Sequence, residues 1–171
     1  STEEIKERMS SLGFKLSHVD WYRDNINAGM AGLELLDSIP LPGSESRNER
    51  VWEVPGKSDN PFNAWAVKSN ILGSKSGPLK GKTVAIKDNV MIDGLPLSNG
   101  TKVLDGFIAD EDAEIVSRLL NAGATILGKT VCEAYCFSGG SHTSDSGPVR
   151  NPRAISRSAG GSSSGSAVVV A

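Results

Sequence analysis

Cysteine and histidine are scarce in this sequence, which has two of each in 171 residues. The two cysteines, Cys132 and Cys136, cannot form the disulfide framework that holds small secreted domains together. With only His18 and His142 available to complete a zinc site, we expect no metal. We expect no other cofactor either, and the low cysteine content favours a reducing, cytoplasmic location.

An excess of basic charge and long apolar runs are also missing. The net charge is −2, which argues against nucleic-acid or anionic-membrane partners, because such binders need a basic surface. No apolar run approaches the roughly 20 residues of a membrane-spanning helix, and residues 1–6 lack the apolar core of a signal peptide. The remaining composition, 38% hydrophobic and 22% charged, is typical of a globular protein.

The first part of the sequence predicts a helical arm. One helix is expected over residues 1–12, with Thr2 as its cap, and a second over residues 18–36. The apolar stripe of the second helix consists of Val19, Ile26, Met30 and Leu33. We therefore predict an N-terminal helical arm over residues 1–40, ended by the Pro40–Gly43 cluster, and a proline-rich linker or loop packing on the core over residues 41–79.

From residue 80 to residue 171 the pattern indicates an α/β domain. A strand over residues 83–87, a helix from an Asp112 cap to Asn121 and a strand over residues 124–127 follow one another. This order favours parallel strands joined by a right-handed crossover. The side of the helix predicted to face the core consists of Ile115, Val116, Leu119 and Leu120.

The rest of this domain is predicted to be mostly loop. Thr130 is the expected cap of a short helix that ends near Cys136, and residues 138–166 form a long loop rich in glycine and serine. The predicted fold class is α/β, with a mixed, mostly parallel twisted sheet covered by helices.

Lys87 ends the predicted strand Thr83-Val84-Ala85-Ile86-Lys87. Side chains alternate along a strand, so Lys87 shares a face with Ala85 and Thr83. In a sheet covered on both faces it would be partly buried and suited to act as a general base. Alternatively, it is simply the solvated end of the strand.

The segment Gly160-Gly161-Ser162-Ser163-Ser164-Gly165-Ser166 has three interpretations. Glycine-serine runs are most often flexible linkers. A phosphate-binding loop is a weaker interpretation, because the lysine that follows the last glycine in such loops is missing. The third is a rigid turn that directs a hydroxyl at another group, and the apolar residues 167–171 that follow it favour a buried element over a linker.

Taken together, these segments resemble the amidase signature family. The resemblance extends over residues 80–171, the N-terminal portion of that family's fold. Residues 60–65 and the helical arm are similar to the nitrile-pathway amidases in particular, which suggests an arm used for dimerisation. The matching stretches are Ala85-Ile86-Lys87-Asp88-Asn89, Gly123 to Thr130, Gly147-Pro148-Val149-Arg150-Asn151-Pro152 and the glycine-serine loop.

The resemblance implies a Ser–cisSer–Lys triad that hydrolyses amides through an acyl-enzyme. By position, Lys87 corresponds to the catalytic lysine and Ser162 to the serine that follows a cis peptide bond. Ser163 corresponds to a second serine that supports the triad. The residues expected to bind substrate are Cys136, Phe137 and Ser138, whereas Cys132 is expected to be packing.

The sequence departs from the family pattern in two places. Ser164 stands where the family usually has glycine, and serine would be strained there if the position required a positive φ. The family's nucleophilic serine and the oxyanion-hole segment lie further along the chain and are absent from these 171 residues. We therefore expect this chain alone to be inactive and to need a complementary C-terminal amidase polypeptide or continuation.

The function implied by the resemblance is an amide hydrolase that releases ammonia from small aliphatic or aromatic amides, as a homodimer of the complete enzyme. The alternatives are a non-catalytic fragment and an amidotransferase A-type subunit. The role of Glu133 stays open at this point, because it suits either buried support or exposed helix charge.

Overall fold

The computed structural model describes residues 1–15, 17–39 and 49–171, except for the side chain of Asp37. It divides into two compact units, Ser1–Gly43 and Ser44–Ala171. The predicted boundary between arm and linker, and the Pro40–Gly43 stop signal, lie outside the described residues. None of the helices in these ranges combines the length and the apolar sequence that a membrane span requires.

The first unit contains two helices, α1 (Thr2–Ser11) and α2 (Val19–Asp37), as predicted. Ser1, rather than Thr2, caps α1, because the Ser1 hydroxyl accepts a hydrogen bond from the Glu4 N–H at 3.2 Å. In α2, Val19 is buried, whereas the rest of the predicted apolar stripe is at least half exposed: Ile26, Met30 and Leu33.

The second unit is built on a four-stranded mixed sheet. Its strands are β1 (Trp52–Glu53), β2 (Trp65–Leu72), β3 (Thr83–Lys87) and β4 (Thr125–Thr130), in the spatial order β1-β2-β4-β3. β3 and β4 pair in parallel, whereas the β1–β2 and β2–β4 pairs are antiparallel, so this sheet is mixed as predicted but not mostly parallel. Helix α3 (Glu114–Asn121) lies between β3 and β4 in the sequence, so the predicted strand–helix–strand unit is present.

The prediction of a linker or loop over residues 41–79 is wrong at Trp65–Leu72, which form strand β2. It is an interior strand, with β1 on one side and β4 on the other. Its pairing with β4 is interrupted by two register shifts, and only Val67 and Ile71 of its eight residues are buried. These irregularities break the alternation of apolar and polar residues by which a strand is recognised in a sequence.

Asp112 does not cap α3, in contrast to the prediction; Ala113 occupies the N-cap position. The Asp112 carboxylate instead accepts two hydrogen bonds from the Arg50 guanidinium, at 2.5 and 2.8 Å, and one from the Asp93 N–H at 3.0 Å. Both side chains of this ion pair are almost completely buried. Asp112 therefore joins the segment before β1 to the loop that precedes α3.

The hydrophobic core lies between α3 and the sheet. Three of the four predicted apolar residues of α3 take part, whereas Ile115 is exposed. The core cluster consists of Val67, Ile71, Ile86, Ile92, Leu95, Val116, Leu120 and Ile126.

The predicted short helix and long loop are more structured than the sequence indicated. Thr130 caps no helix, because it is the last residue of β4, and a single 3₁₀ turn follows at Ala134–Cys136. Within the predicted loop, β5 (Arg150–Asn151) and β6 (Ala154–Ser158) form an antiparallel hairpin. The chain then reaches α4 (Ser164–Val169).

Replacing Ile126 by alanine should destabilise the fold by about 2–5 kcal/mol, because truncating a large side chain at the centre of the core leaves a cavity. Ile126 is completely buried, whereas Ile115 is 54% exposed. Ile115→Ala is therefore the matched control and should change the stability by no more than about 0.5 kcal/mol. Urea unfolding followed by circular dichroism measures both, and equal losses would contradict this location of the core.

Candidate active site

Lys87 and Ser162 meet at the carboxyl end of the parallel strands. Lys87 is the last residue of β3 and is partly buried. Its Nζ donates a hydrogen bond to the Ser162 Oγ at 2.8 Å, across 75 positions of sequence. The strand end therefore places an amine within direct proton-transfer distance of a hydroxyl.

The glycine-serine loop forms a turn after β6, and its last three residues begin α4. Gly160 adopts a positive φ of 80°, and the peptide bond between Gly161 and Ser162 is cis. Ser163 occupies the N-cap position of α4, is exposed, and makes no capping hydrogen bond with its side chain. The arrangement fits the third interpretation of the sequence, in which the loop directs a hydroxyl at another group.

The end of this loop is packed tightly against the residues after β4. Gly165 is buried, and its N–H donates to the Val131 carbonyl at 2.9 Å. A Cβ at Gly165 would meet the Ala64 carbonyl oxygen and would lie 2.6 Å from the Val131 nitrogen. Ser164, the departure from the family pattern, is a buried helical residue without a positive φ. Serine therefore fits this position, because the position does not require the positive φ that would have strained it.

Asp88, the residue after Lys87, forms a buried ion pair with Lys129 of β4. The Lys129 Nζ is 2.7 Å from an Asp88 carboxylate oxygen, and both side chains are almost inaccessible to solvent. Lys129 also donates to the Pro96 carbonyl at 2.9 Å, and the second Asp88 oxygen accepts from the Ser98 N–H at 3.1 Å and from its hydroxyl. Burial lowers the pKa of Lys129 below its ordinary value, and the Asp88 carboxylate opposes that shift.

Glu133 is a completely buried carboxylate that follows β4. Its N–H donates to the Ser162 carbonyl at 3.2 Å. Its Oε2 accepts from the Thr143 N–H at 3.1 Å and from the Thr143 hydroxyl at 2.5 Å. Burial alone would raise the pKa of Glu133, but the hydrogen bonds from Thr143 and its neighbours outweigh burial and leave this pKa below its ordinary value.

The residues expected to bind substrate lie in and after the 3₁₀ turn. The Cys136 thiol donates to the Asn99 side-chain oxygen at 3.5 Å, and the Ser138 hydroxyl accepts from the Gly140 N–H at 3.2 Å. Phe137 is 93% exposed, so its ring extends into solvent in this chain. Burial raises the pKa of the Cys132 thiol to about 12, with Cys136 adding to the rise and Lys87 opposing it, which suits a packing role.

Sequence reasoning missed two contributors to this geometry, which are the ion pair between Asp88 and Lys129 and the packing of Gly165. It left Glu133 open between buried support and exposed helix charge, and the structure places Glu133 in the interior. One signal was available for the ion pair, because Lys129 interrupts the otherwise apolar and small segment that forms β4. A lysine in a buried strand needs a partner of opposite charge.

Replacing Gly165 by alanine should destabilise the protein by about 1–3 kcal/mol, because the new methyl group would meet backbone atoms that cannot move aside. This cost should exceed the roughly 1 kcal/mol that alanine gains over glycine within a helix. Gly139→Ala is the matched control, since open space surrounds that position. Thermal unfolding of both variants checks the prediction, and a stabilised Gly165→Ala variant would contradict the close approach.

The lowered pKa of Glu133 predicts a pH-dependent contribution to stability. The carboxylate stabilises the fold above its unfolded pKa, near 4.5, and this contribution is lost as the pH falls through the lower folded pKa. The difference in unfolding free energy between the wild type and Glu133→Gln should therefore shrink below about pH 4.5.

Urea unfolding across the acidic and neutral range measures this difference. Glu114→Gln is the control, because Glu114 is an exposed carboxylate paired only with Arg118 among the contacts described for it. A gap between wild type and Glu133→Gln that stays constant with pH would show that the Glu133 pKa is not lowered by folding.

Comparison with known proteins finds two kinds of similar protein, an amidase and an amidotransferase A subunit. The chain is 52% identical over 125 residues to an enantioselective amidase of Rhodococcus rhodochrous, a match that covers 72% of this chain and 24% of that protein. It is 47% identical over 148 residues to the A subunit of the glutamyl-tRNA(Gln) amidotransferase of Methanosarcina acetivorans, a match that covers 86% of this chain and 28% of that protein. The chain therefore spans about a quarter of the length of these relatives.

Comparison with solved structures also finds an amidotransferase A subunit. The crystal structure of the glutamyl-tRNA(Gln) amidotransferase A subunit from Thermotoga maritima matches with a TM-score of 0.59 and 30% identity, covering 65% of this chain and 25% of that one. The family model described as Amidase matches residues 62–171. This family model covers more than half of the chain, and the similar proteins match it in both sequence and fold. The chain therefore belongs to the amidase family.

Proposed function

We propose that Lys87 and Ser162 are two members of a Ser–cisSer–Lys triad in an amide hydrolase that releases ammonia from small aliphatic or aromatic amides. The observation that carries the proposal is the 2.8 Å contact between the Lys87 Nζ and the Ser162 Oγ, next to a cis Gly161–Ser162 peptide bond. Membership of the amidase family supports amide hydrolysis as the type of reaction.

In the proposed reaction Lys87, in its uncharged form, takes the proton of the Ser162 hydroxyl. Ser162 in turn takes the proton of a nucleophilic serine, whose oxygen attacks the amide carbonyl carbon. The C–N bond breaks, and the relay returns the proton to the nitrogen, which leaves as ammonia. Water then attacks the acyl-enzyme by the same relay and releases the acid.

The proposal requires a nucleophile and oxyanion-hole donors from a polypeptide segment that these 171 residues do not contain. We propose that a complementary C-terminal amidase segment or continuation supplies them. The 171-residue chain by itself should then form no acyl-enzyme, whereas a preparation that includes the missing segment should form one. Mass spectrometry of the protein after incubation with an activated amide or ester distinguishes the two.

A second candidate is the A-type component of an amidotransferase, which would pass the released ammonia to an acylated tRNA. The match to the Methanosarcina acetivorans protein favours it, because that match covers 86% of this chain. The two candidates share the proposed triad and differ in what receives the ammonia. Ammonia release from a simple amide without glutamine or tRNA separates them.

The test uses the full-length enzyme that carries these residues, with propionamide and benzamide as substrates. Lys87→Ala and Ser162→Ala should each lower kcat by at least about 100-fold, because each interrupts the proton relay. The measurement is ammonia release over time, with circular dichroism to confirm folding.

Lys75→Ala and Ser156→Ala are the matched controls, because both side chains are exposed. These two variants should keep the activity of the wild type. Full activity in Lys87→Ala or Ser162→Ala would reject the triad, and a wild type that acts only with glutamine and tRNA would favour the amidotransferase.

A further inference from the structure

We propose that Glu133 is a positioning residue that holds Ser162 in line with Lys87 by clamping the turn after β4 to the loop at Thr143. The inference rests on the proposed function, since the alignment matters for catalysis only if Ser162 relays a proton. Glu133 reaches Ser162 through the backbone and Thr143 through its carboxylate, so one residue connects two segments around the site.

The backbone contact sets the orientation of the Ser162 peptide. The Glu133 N–H donates to the Ser162 carbonyl at 3.2 Å, and the Glu133 carbonyl accepts from the Cys136 N–H at 2.8 Å. The second bond closes the turn in which Glu133 lies. The direction of the Glu133 N–H, and with it the orientation of the Ser162 carbonyl, therefore depends on that turn keeping its shape.

The carboxylate secures the same turn from the side. Its Oε2 accepts two hydrogen bonds from Thr143, and the Thr143 hydroxyl oxygen accepts a third from the Ala134 N–H at 3.1 Å. Ala134 is the residue after Glu133. Thr143 is thus bound to two consecutive residues of the turn, and it joins them to a loop ten positions further along the chain.

Glu133 also lies directly against the cis peptide segment. A Cβ on Gly161 would lie 2.9 Å from the Glu133 Cγ and 3.0 Å from the Ser138 carbonyl oxygen. The glycine before Ser162 therefore rests on the Glu133 side chain and on the loop that Glu133 holds. A displacement of either would be transmitted to Ser162.

The surroundings of Glu133 indicate a hydrogen-bond acceptor rather than a member of an ion pair. The groups that lower its pKa are all hydrogen-bond donors, from Thr143, Ser138 and His142. Its Oε1 makes no hydrogen bond of normal geometry among the described residues. Glutamine in its place keeps the size and can keep its oxygen on Thr143, but these hydrogen bonds lose the negative charge that strengthens them. Its amide nitrogen then replaces Oε1 and adds a donor where the His142 N–H is also a donor.

The test compares Glu133→Gln, Thr143→Val and the double variant in the full-length enzyme. Each single variant should lower kcat for propionamide by about 10- to 100-fold while KM changes by less than about twofold, because misplacing a reacting group impairs the chemical step more than substrate binding. The double variant should be no worse than the poorer single variant, because both single changes release the same clamp.

Crystal structures of the same proteins give a readout that does not depend on activity. We expect the Lys87 Nζ and the Ser162 Oγ to separate beyond about 3.5 Å in both single variants. Glu114→Gln and Thr83→Val are the matched controls; both side chains are exposed, and both variants should keep the kcat and the 2.8 Å contact of the wild type.

The outcomes separate the two proposals. If the wild-type enzyme releases no ammonia from amides, the proposed function fails, and the crystal structures still decide whether Glu133 positions Ser162. If folded Glu133→Gln and Thr143→Val variants keep both the contact and the wild-type kcat, the positioning role is wrong. Should Glu133→Gln fail to fold, Thr143→Val decides alone, because it keeps Glu133 and replaces only the Thr143 hydroxyl by a methyl group.

Discussion

The carboxyl end of β4 supports both halves of the candidate site. The Thr130 carbonyl accepts from the Asp88 N–H at 3.0 Å, which fixes the residue next to Lys87. One residue later, the Val131 carbonyl accepts from the Gly165 N–H at 2.9 Å, which fixes the helix that follows Ser162. Lys87 and Ser162 are 75 positions apart, so their contact depends on both segments being bound to the same strand end. The Thr130 hydroxyl strengthens this connection by sharing a hydrogen bond of 2.7 Å with the Ser166 hydroxyl.

The ion pair between Asp88 and Lys129 contributes to this arrangement through geometry more than through net stability. Removing two charges from water costs several kcal/mol per ion, and their attraction inside a protein roughly offsets that cost. Loss of one partner, in contrast, costs about 3–5 kcal/mol because the other charge stays buried and unpaired. The Lys129 ammonium is satisfied only where Asp88 and the Pro96 carbonyl meet. The ion pair therefore favours the observed position of the loop after Lys87, because another position would leave a buried charge unpaired.

The sequence predicted those parts of the fold that are determined locally. Strand β3, helix α3 and the start of β4 follow from apolar periodicity, and the pairing of Lys87 with Ser162 followed from a resemblance that joined distant motifs. Strand β2 was missed because its two register shifts remove the alternating pattern. Asp112 was assigned as a helix cap because Asp is a good cap; its actual partner, Arg50, lies 62 positions earlier. Local preference cannot anticipate a partner that only folding brings near.

The glycines of the loop show why composition alone could not separate a linker from a site. A flexible linker uses glycine because it leaves the chain many conformations. In this loop glycine serves the opposite purpose, since Gly160 supplies a positive φ, Gly161 lies against Glu133, and Gly165 lets two backbones approach within hydrogen-bonding distance. The requirements at Gly161 and Gly165 are set by atoms outside the loop. The same composition therefore serves close packing here, because the turn at Glu133 and the strand end at Val131 lie directly against Gly161 and Gly165.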